Sequence, residues 1–246
     1  MSLDLARFDA LAREAVATFW RTRREARGRA GAAPDTGNRS VVTGGKNLDG
    51  FEHLIRAVVV ANGLPSSAVY CSTRSDGAQR RTVLPGHYRP VKDWDVVVVD
   101  GGELVAAVEL KSQIGSLGNN FNNRAEEAIG MGEDLRVAIR EGLFGEQSRP
   151  FVGYLTLIED SERSTRPVGT RSQHFPIDAA FEGASYAERY DELCRRLVRE
   201  GLYDAAAVLL SSPEHGHGGT YRSASEETGL KRFVSRLAAR VAEAAA

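Results

Sequence analysis

The sequence predicts an α/β protein in which helices flank a mixed central β-sheet of four to five strands. Two apolar, valine-rich segments, DVVVVD at 95–100 and ELVAAVELK at 103–111, are joined by Gly101-Gly102, which is typical of a β-hairpin. Segments with apolar residues at helical spacing precede and follow this hairpin. Residues 50–158 are therefore expected to run helix, three strands, helix, strand, and to form a sheet with helices packed on it.

The elements around the hairpin follow from the spacing of apolar residues. This spacing predicts helices over 3–27 and 50–62, and Asp49 is a candidate N-cap of the second. Ser185 and Glu188 have the spacing of a capping box, which predicts the start of a later helix. The other predictions, in chain order, are a loop at 28–48, a strand at 67–73, a polar basic segment at 74–92, a loop at 112–123, a helix at 122–142, strands at 151–158 and 205–211, and a last helix from Ser225.

Composition and length exclude several classes of protein. The chain has 246 residues, and its 32 Lys and Arg nearly balance its 33 Asp and Glu, unlike a strongly basic nucleic-acid coat protein. An apolar content of 42% is typical of a globular protein with a proper core. Cys71 and Cys194 predict neither a disulfide scaffold nor, by themselves, a zinc site. The lack of a signal peptide and of a long apolar run predicts a cytoplasmic protein without a membrane span.

Positive charge is nonetheless concentrated in two segments. Residues 21–40 contain six Arg against Glu25 and Asp35, so their net charge is +4. Residues 71–92 contain four Arg and one Lys against Asp76, which also gives +4. Two such zones could form a groove that faces DNA phosphates. A solvated helix end and a solvated loop are the alternative interpretation.

Charged side chains are expected to meet at the open end of the hairpin. Side chains alternate along a strand, so Glu109 and Lys111 share one face while Val108 and Leu110 are buried on the other. Asp95 opens the first strand at the same end of the hairpin. Because buried charges are costly unless they are paired or bind a metal, the convergence of three such groups indicates a site.

The chemistry of this cluster suits hydrolysis of a phosphodiester. A turn centred on Gly101 would place Asp95 opposite Ala107 and diagonal to Glu109, at about 7–8 Å. Two carboxylates at this distance can share Mg²⁺, which prefers oxygen ligands and retains water, and the backbone carbonyl of Leu110 can complete the coordination. The neighbouring lysine can orient or deprotonate the attacking water. An ion pair at a strand end has the same spacing and remains the alternative.

Longer segments around these residues resemble a known family. LPGHYRPVKDWDVVVVDGGELVAAVELKSQIG and the following LGNNFNNRAEEAIG resemble the XhoI-type family of type II restriction endonucleases. So do GGKNLDGF upstream and HFPID, ASYAERY and LVREGLY downstream, which extends the resemblance from Gly44 to near the C-terminus. It implies a PD-(D/E)xK nuclease fold in one nuclease domain, 1–246. We expect this domain to comprise an N-terminal helix and basic loop (1–48), a catalytic αβββαβ core (49–158) and a C-terminal extension of helices and strand (159–246).

The resemblance also implies an activity. Enzymes of this family are expected to be Mg²⁺-dependent homodimers that cut palindromic double-stranded DNA at a CTCGAG-like site. The cut would leave 5′ overhangs with 5′-phosphate and 3′-hydroxyl ends, and a DNA methyltransferase would protect the host. The resemblance makes Asp95 and Glu109 the metal ligands and Lys111 the catalytic lysine.

Further residues are candidates for the site or for DNA contacts. Glu52 on the second helix could be an additional ligand or could orient water, although with Asp49 it also has capping-box spacing. The asparagines and arginine of NNFNNR could bond to base edges, or could form a turn and an N-cap. Basic residues before the predicted strand at 95–100 could contact phosphates. The DNA-binding candidates are Asn119, Asn120, Asn122, Asn123, Arg124, Arg80, Arg81, Arg89 and Lys92.

Some interpretations remain open at this point. His215 and His217 could bind a metal, but a surface loop explains them as well, and Trp94 could stack on a base or pack in the core. A structure-specific nuclease of DNA repair or recombination is an alternative to a restriction enzyme. A DNA-binding module with a degenerate nuclease site is a third possibility, which the intact Asp95, Glu109 and Lys111 set argues against.

Overall fold

A six-stranded mixed sheet forms the centre of the computed structural model, which describes residues 3–30, 45–72 and 81–246. Apart from short 3-10 helices, the elements are α1 (Phe8–Ala30), α2 (Asp49–Ala61), β1 (Val69–Cys71), β2 (Val83–Pro85), β3 (Val91–Asp93), β4 (Val96–Asp100), β5 (Glu103–Gln113), α3 (Leu117–Arg140), β6 (Phe151–Glu159), α4 (Glu162–Thr165), α5 (Tyr186–Arg199), β7 (Ala205–Ser211), α6 (Pro213–Gly216), β8 (Arg222–Ser223) and α7 (Leu230–Ala244).

The strand order confirms a mixed α/β fold and corrects the number of strands. The order in the sheet is β1-β4-β5-β6-β7-β8, in which β5, β6 and β7 are parallel and the other pairs are antiparallel. Six strands replace the predicted four to five, because β8 has only two residues and therefore no readable alternation. The basic segment also contains a separate two-stranded hairpin, β2–β3, whose residues were predicted as irregular.

Apolar residues cover both faces of the sheet. Val96, Val98 and Val108 pack on one face against α1, α2 and α7, whereas Val97 and Ala107 pack on the other against α3 and α5. Strands that are buried on both faces read as continuous apolar runs, which explains the sequence of β4 and β5. Trp94 is almost fully buried and packs with Val97 and Ala107 on the second face, so the core-packing interpretation of this residue is confirmed.

Helix α3 begins earlier than its sequence indicates. Its first residue is Leu117, so most of the segment predicted as a loop at 112–123 is helical, although Gly and Asn are poor helix formers. Leu117 is buried and the ring of Phe121 contacts that of Tyr190, so tertiary packing overrides local propensity here. Gly115 and Ser116 precede the helix with positive φ angles of 67° and 45°. The helix therefore places the asparagines of NNFNNR in its first two turns.

Other helix ends test the predicted caps. Ser185 and Glu188 form the predicted capping box at the start of α5. Helix α2 instead has Leu48 as its N-cap, so Asp49 is the first residue of the helix rather than the predicted N-cap. The last helix begins at Leu230 rather than Ser225. Among the described residues, no helix has both the length and the apolar character needed to cross a membrane.

The first basic zone lies partly on α1 and partly outside the described residues. Arg21, Arg24 and Arg27 are exposed, as expected of a solvated helix end, but Arg23 is only 3% exposed. Its Nε and Nη2 atoms have no hydrogen-bond partner among the described residues. Burial, and next the charge of Arg27, lower the pKa of Arg23 to about 10. A buried cation whose donors are not all hydrogen-bonded within the described part of the chain is destabilising, although the charge of Glu159 acts in the opposite direction.

We therefore expect Arg23→Met to stabilise the protein. Methionine fills a similar space without the cost of desolvating a charge, so thermal unfolding should shift upward by about 2–4 °C for each kcal/mol recovered. Arg24→Met, at an exposed position of the same helix, is the control and should leave the unfolding temperature nearly unchanged. A lower unfolding temperature for Arg23→Met would show that the guanidinium is stabilising.

Candidate active site

The register of the β4–β5 hairpin brings Asp95 and Glu109 together. Val96 pairs with Val108 and Val97 with Ala107, so continuing the register by one residue places Asp95 opposite Glu109. The expectation that Asp95 lies opposite Ala107 is therefore wrong by two residues. Directly opposite residues in an antiparallel pair point to the same face of the sheet, at the closest side-chain separation that a sheet offers.

A β-bulge produces this register. Val99 pairs with Leu104, but Val98 pairs with Ala106, so Val105 is an extra residue on β5. A regular hairpin from the same turn would place Asp95 opposite Val108, on the other face from Glu109. The inserted residue thus puts both carboxylates on one face, which is a known use of bulges next to active sites.

Both carboxylates are held by neighbouring donors. Glu109 is only 2% exposed. The ammonium of Lys111 donates to its Oε1, and that of Lys92 donates to its Oε2 at 2.8 Å. The backbone N–H of Leu110 donates to Oδ2 of Asp95 at 2.7 Å. The structure therefore brings together the three residues that the sequence predicted, and adds Lys92 to them.

The environment of Asp95 raises its pKa to about 6. Burial is the largest cause, and the negative charge of Glu109 is the second. The N–H of Leu110 and the ammonium groups of Lys111 and Lys92 act in the opposite direction. Because the charge of Glu109 disfavours the charged form of Asp95, a divalent cation between the two carboxylates would lower the energy of the site.

The donor set fits Mg²⁺. Asp95 and Glu109 offer hard carboxylate oxygens, and Mg²⁺ typically takes one or two carboxylates and retains several waters. In an antiparallel pair the N–H and C=O of one residue face the same neighbouring strand, so the Leu110 carbonyl faces the side of Asp95. Among the described residues no three Asp, Glu, His or Cys side chains form a ready-made metal cluster, so a third carboxylate is not part of the set.

Glu52 is linked to the site through Ser72. It is 4% exposed on α2, and its Oε1 accepts a hydrogen bond from Oγ of Ser72 at 3.2 Å. The backbone N–H of Ser72 in turn donates to the carbonyl of Asp95 at 2.9 Å. Glu52 is thus connected to the backbone that positions Asp95 through one intervening residue, and it does not join Asp95 and Glu109 in a cluster.

The candidate DNA-binding residues of NNFNNR lie on the first two turns of α3. Asn122 and Asn123 are exposed, and Asn120 is half-buried. Arg124 forms an ion pair with Glu127 at 2.5 Å. The side chain of Asn119 lies outside the described residues. The exposed amides of this helix are therefore available for hydrogen bonds to another molecule.

The basic candidates before the catalytic strand differ from one another. Arg81 is exposed, with its guanidinium 5.4 Å from the ring centre of Tyr70. Arg89 donates to Asp134 at 2.7 Å, and Lys92 donates to Glu109. Arg80 lies outside the described residues. Arg89 and Lys92 are thus paired with carboxylates, whereas the guanidinium of Arg81 contacts the ring of Tyr70.

Sequence reasoning missed two neighbours of the cluster. Gln113 is buried on the face of Glu109 and Lys111, and its amide donates to the Gly115 carbonyl at 2.5 Å, beside the start of α3. Two-residue alternation could have found it. No local signal could have placed Lys92 on Glu109, because Lys92 lies on β3, 17 residues earlier.

His215 and His217 lie in and directly after the short helix α6. Ser212 caps this helix by accepting a hydrogen bond from the backbone N–H of His215. Both imidazoles are exposed, and they belong to no metal-ligand cluster among the described residues. Both histidines are therefore surface residues, as the alternative interpretation predicts, but they lie at a short helix rather than in a loop.

Comparison with known proteins gives one consistent result. The family model described as restriction endonuclease XhoI matches residues 26–223. The type II restriction enzyme XhoI of Xanthomonas vasicola is 51% identical to this chain over 211 residues, which are 85% of this chain and 83% of the relative. BstVI of Geobacillus stearothermophilus, also named a type II restriction enzyme, is 40% identical over 218 residues, which are 86% of this chain and 94% of the relative. The type II restriction enzyme AbrI of Azospirillum brasilense is 45% identical over 180 residues, which are 71% and 77% of the two chains. No solved structure matches the chain significantly.

Proposed function

The chain belongs to the XhoI family of type II restriction endonucleases, and we propose that it uses Mg²⁺ to cleave both strands of a palindromic, CTCGAG-like DNA site. The observation that carries this proposal is the register of the hairpin, which places Asp95 opposite Glu109 with the ammonium of Lys111 on the same carboxylate. The sequence alone left a simple ion pair at a strand end open. Burial of Glu109 and the raised pKa of Asp95 favour a site over such a surface pair.

Each side chain of the cluster has a distinct role in the proposed reaction. Asp95, Glu109 and the Leu110 carbonyl hold Mg²⁺, whose chemistry is to polarise the phosphate and lower the pKa of water. Lys111 orients the attacking water and offsets negative charge that develops on the phosphate. Water forms the new bond to phosphorus and the bond to the 3′ oxygen breaks. The products are a 5′-phosphate and a 3′-hydroxyl, and a cut after the first C leaves 5′ overhangs.

DNA recognition is assigned to two surfaces. The amides of Asn119, Asn120, Asn122 and Asn123 and the guanidinium of Arg124 bond to base edges from the start of α3. Arg80, Arg81, Arg89 and Lys92 contact phosphates. Support comes from the exposure of Asn122, Asn123 and Arg81. Glu52 has a positioning role, through Ser72 and the backbone of Asp95.

The assembly follows from the symmetry of the proposed target. Two identical subunits related by a twofold axis match a palindrome, and each would cut one strand. A DNA methyltransferase encoded nearby would protect the host genome. The single nuclease domain over 1–246, with its catalytic core at 49–158, remains a prediction.

Digestion of plasmid DNA tests the proposal. With Mg²⁺ the protein should give discrete bands that map to CTCGAG, and with EDTA it should give none. Cleavage restricted to branched DNA would favour a repair or recombination nuclease. Binding without cleavage would favour a DNA-binding module. Both of these outcomes contradict the proposal.

Arg81→Ala tests the phosphate contacts. Loss of one phosphate contact should reduce the slope of log affinity against log salt by about 0.9, because one counterion fewer is released on binding. The measurement is fluorescence anisotropy of a labelled duplex over a salt series, with Ca²⁺ in place of Mg²⁺. Arg240→Ala is the control, because Arg240 donates to the Arg149 carbonyl. Arg149 lies just before the N-terminal end of β6, whereas the candidate site lies towards the C-terminal end of the neighbouring strand β5. An unaltered slope for Arg81→Ala would exclude this residue from the phosphate contacts.

A further inference from the structure

Two ammonium groups occupy both oxygens of the buried carboxylate of Glu109. Lys111 donates to Oε1, and Lys92 donates to Oε2 at 2.8 Å. The side chains of Lys92 and Lys111 are 15% and 21% exposed, so water screens these charges only partly. Both carboxylate oxygens therefore already face a positive charge, and a divalent cation that binds Glu109 competes with these two groups.

The two lysines lie on strands that differ in their pairing with the central sheet. Lys111 lies on β5, which pairs with β4 on one side and with β6 on the other. Lys92 lies on β3, whose strand pairing is confined to the small β2–β3 sheet. Displacement of Lys92 therefore leaves the strand pairing of the central sheet unchanged.

Lys92 also has other partners close to Glu109. Its ammonium donates to the Asp93 carbonyl and lies 5.1 Å from the ring centre of Trp94. A lysine that loses the carboxylate would keep these contacts, which lowers the cost of its displacement.

We propose that Lys92 is an internal counter-cation that holds the metal position on Glu109 until Mg²⁺ displaces it towards a DNA phosphate. This inference rests on the Mg²⁺ site of the proposed function and goes beyond it, because it assigns Lys92 a role in metal binding in addition to a phosphate contact. The charge of Lys92 neutralises part of the carboxylate pair in the protein without metal and repels Mg²⁺ as it enters. A DNA phosphate attracts the same ammonium, so DNA binding and metal binding favour each other.

Removal of this lysine should therefore strengthen metal binding. In Lys92→Met the ammonium no longer competes for Oε2, so the affinity for Mg²⁺ without DNA should rise about tenfold or more. The variant should also unfold at a lower temperature without metal, because Glu109 and Asp95 lose part of their neutralising charge. Saturating Mg²⁺ should restore most of the unfolding temperature. Lys92→Gln, which keeps a polar group, should change metal affinity in the same direction.

Isothermal titration of the full-length protein with MgCl₂, paired with thermal unfolding, measures these effects. Lys231→Met is the control, since Lys231 is exposed on α7, and it should bind Mg²⁺ as the wild type does. Wild-type and Lys92 variants with equal affinities would overturn the role of Lys92 and leave the Mg²⁺ site standing, as would weaker binding by both Lys92 variants. Failure of the wild type and of both Lys92 variants to bind Mg²⁺ would overturn the proposed site and this inference together.

Discussion

Glu109→Gln is expected to lower the rate of DNA cleavage by at least about 10³-fold. The amide has the shape of the carboxylate but no charge, so the pair with Asp95 can no longer hold a divalent cation. The two ammonium groups of Lys92 and Lys111 would also share a neutral partner in place of an anion. Mg²⁺ should raise the unfolding temperature of the wild type and have no such effect on the variant.

Glu103→Gln is the matched control for this experiment. Glu103 begins the same strand at the exposed hairpin turn, so the substitution makes the same chemical change away from the cluster. Plasmid cleavage and thermal unfolding with and without Mg²⁺ should both resemble the wild type. A Glu109→Gln enzyme that cleaves within tenfold of the wild type would rule out Glu109 as a metal ligand.

Lys111→Ala should lower cleavage by about 10²–10⁴-fold and leave specific DNA binding largely intact. The ammonium is proposed to act on the attacking water and on the charge of the phosphate, and both matter most in the transition state. Single-turnover cleavage with Mg²⁺ and anisotropy with Ca²⁺ separate chemistry from binding. Lys111→Arg keeps the charge but not the compact ammonium, so it should not restore the rate.

The control for Lys111 is Lys231→Ala, on the exposed surface of α7. It should retain wild-type cleavage and binding. Turnover by Lys111→Ala at the wild-type rate would remove this lysine from the chemistry. Loss of binding in proportion to cleavage would show instead that Lys111 contributes to affinity rather than to the transition state.

Local patterns in the sequence predict the framework of the fold. The Val-rich runs and Gly101-Gly102 predict β4 and β5, and the capping box at Ser185 predicts the start of α5. Helix α3 was predicted to begin five residues too late, since Gly and Asn have low helix propensity and the buried Leu117 outweighs it. The two-residue strand β8 left no pattern to detect.

In the candidate site, too, the sequence predicts features within one strand but not those that depend on a second strand. Two-residue alternation places Glu109 and Lys111 on one face from sequence alone, because it is a property of a single strand. The position of Asp95 relative to Glu109 depends on the pairing of β4 with β5. It also depends on the extra residue Val105 on β5, which no count of residues around the turn reveals. The sequence marked Lys92 only as part of a basic segment.

The sequence by itself determined the family, the hairpin and the identity of the three ionisable groups, because these depend on residue types and on spacing within one segment. The tertiary structure alone decided that a bulge at Val105 sets Asp95 opposite Glu109 and that Lys92 shares the same carboxylate. The physical reason is that strand register and the packing of one hairpin on another are set by contacts between distant segments, which local periodicity does not encode.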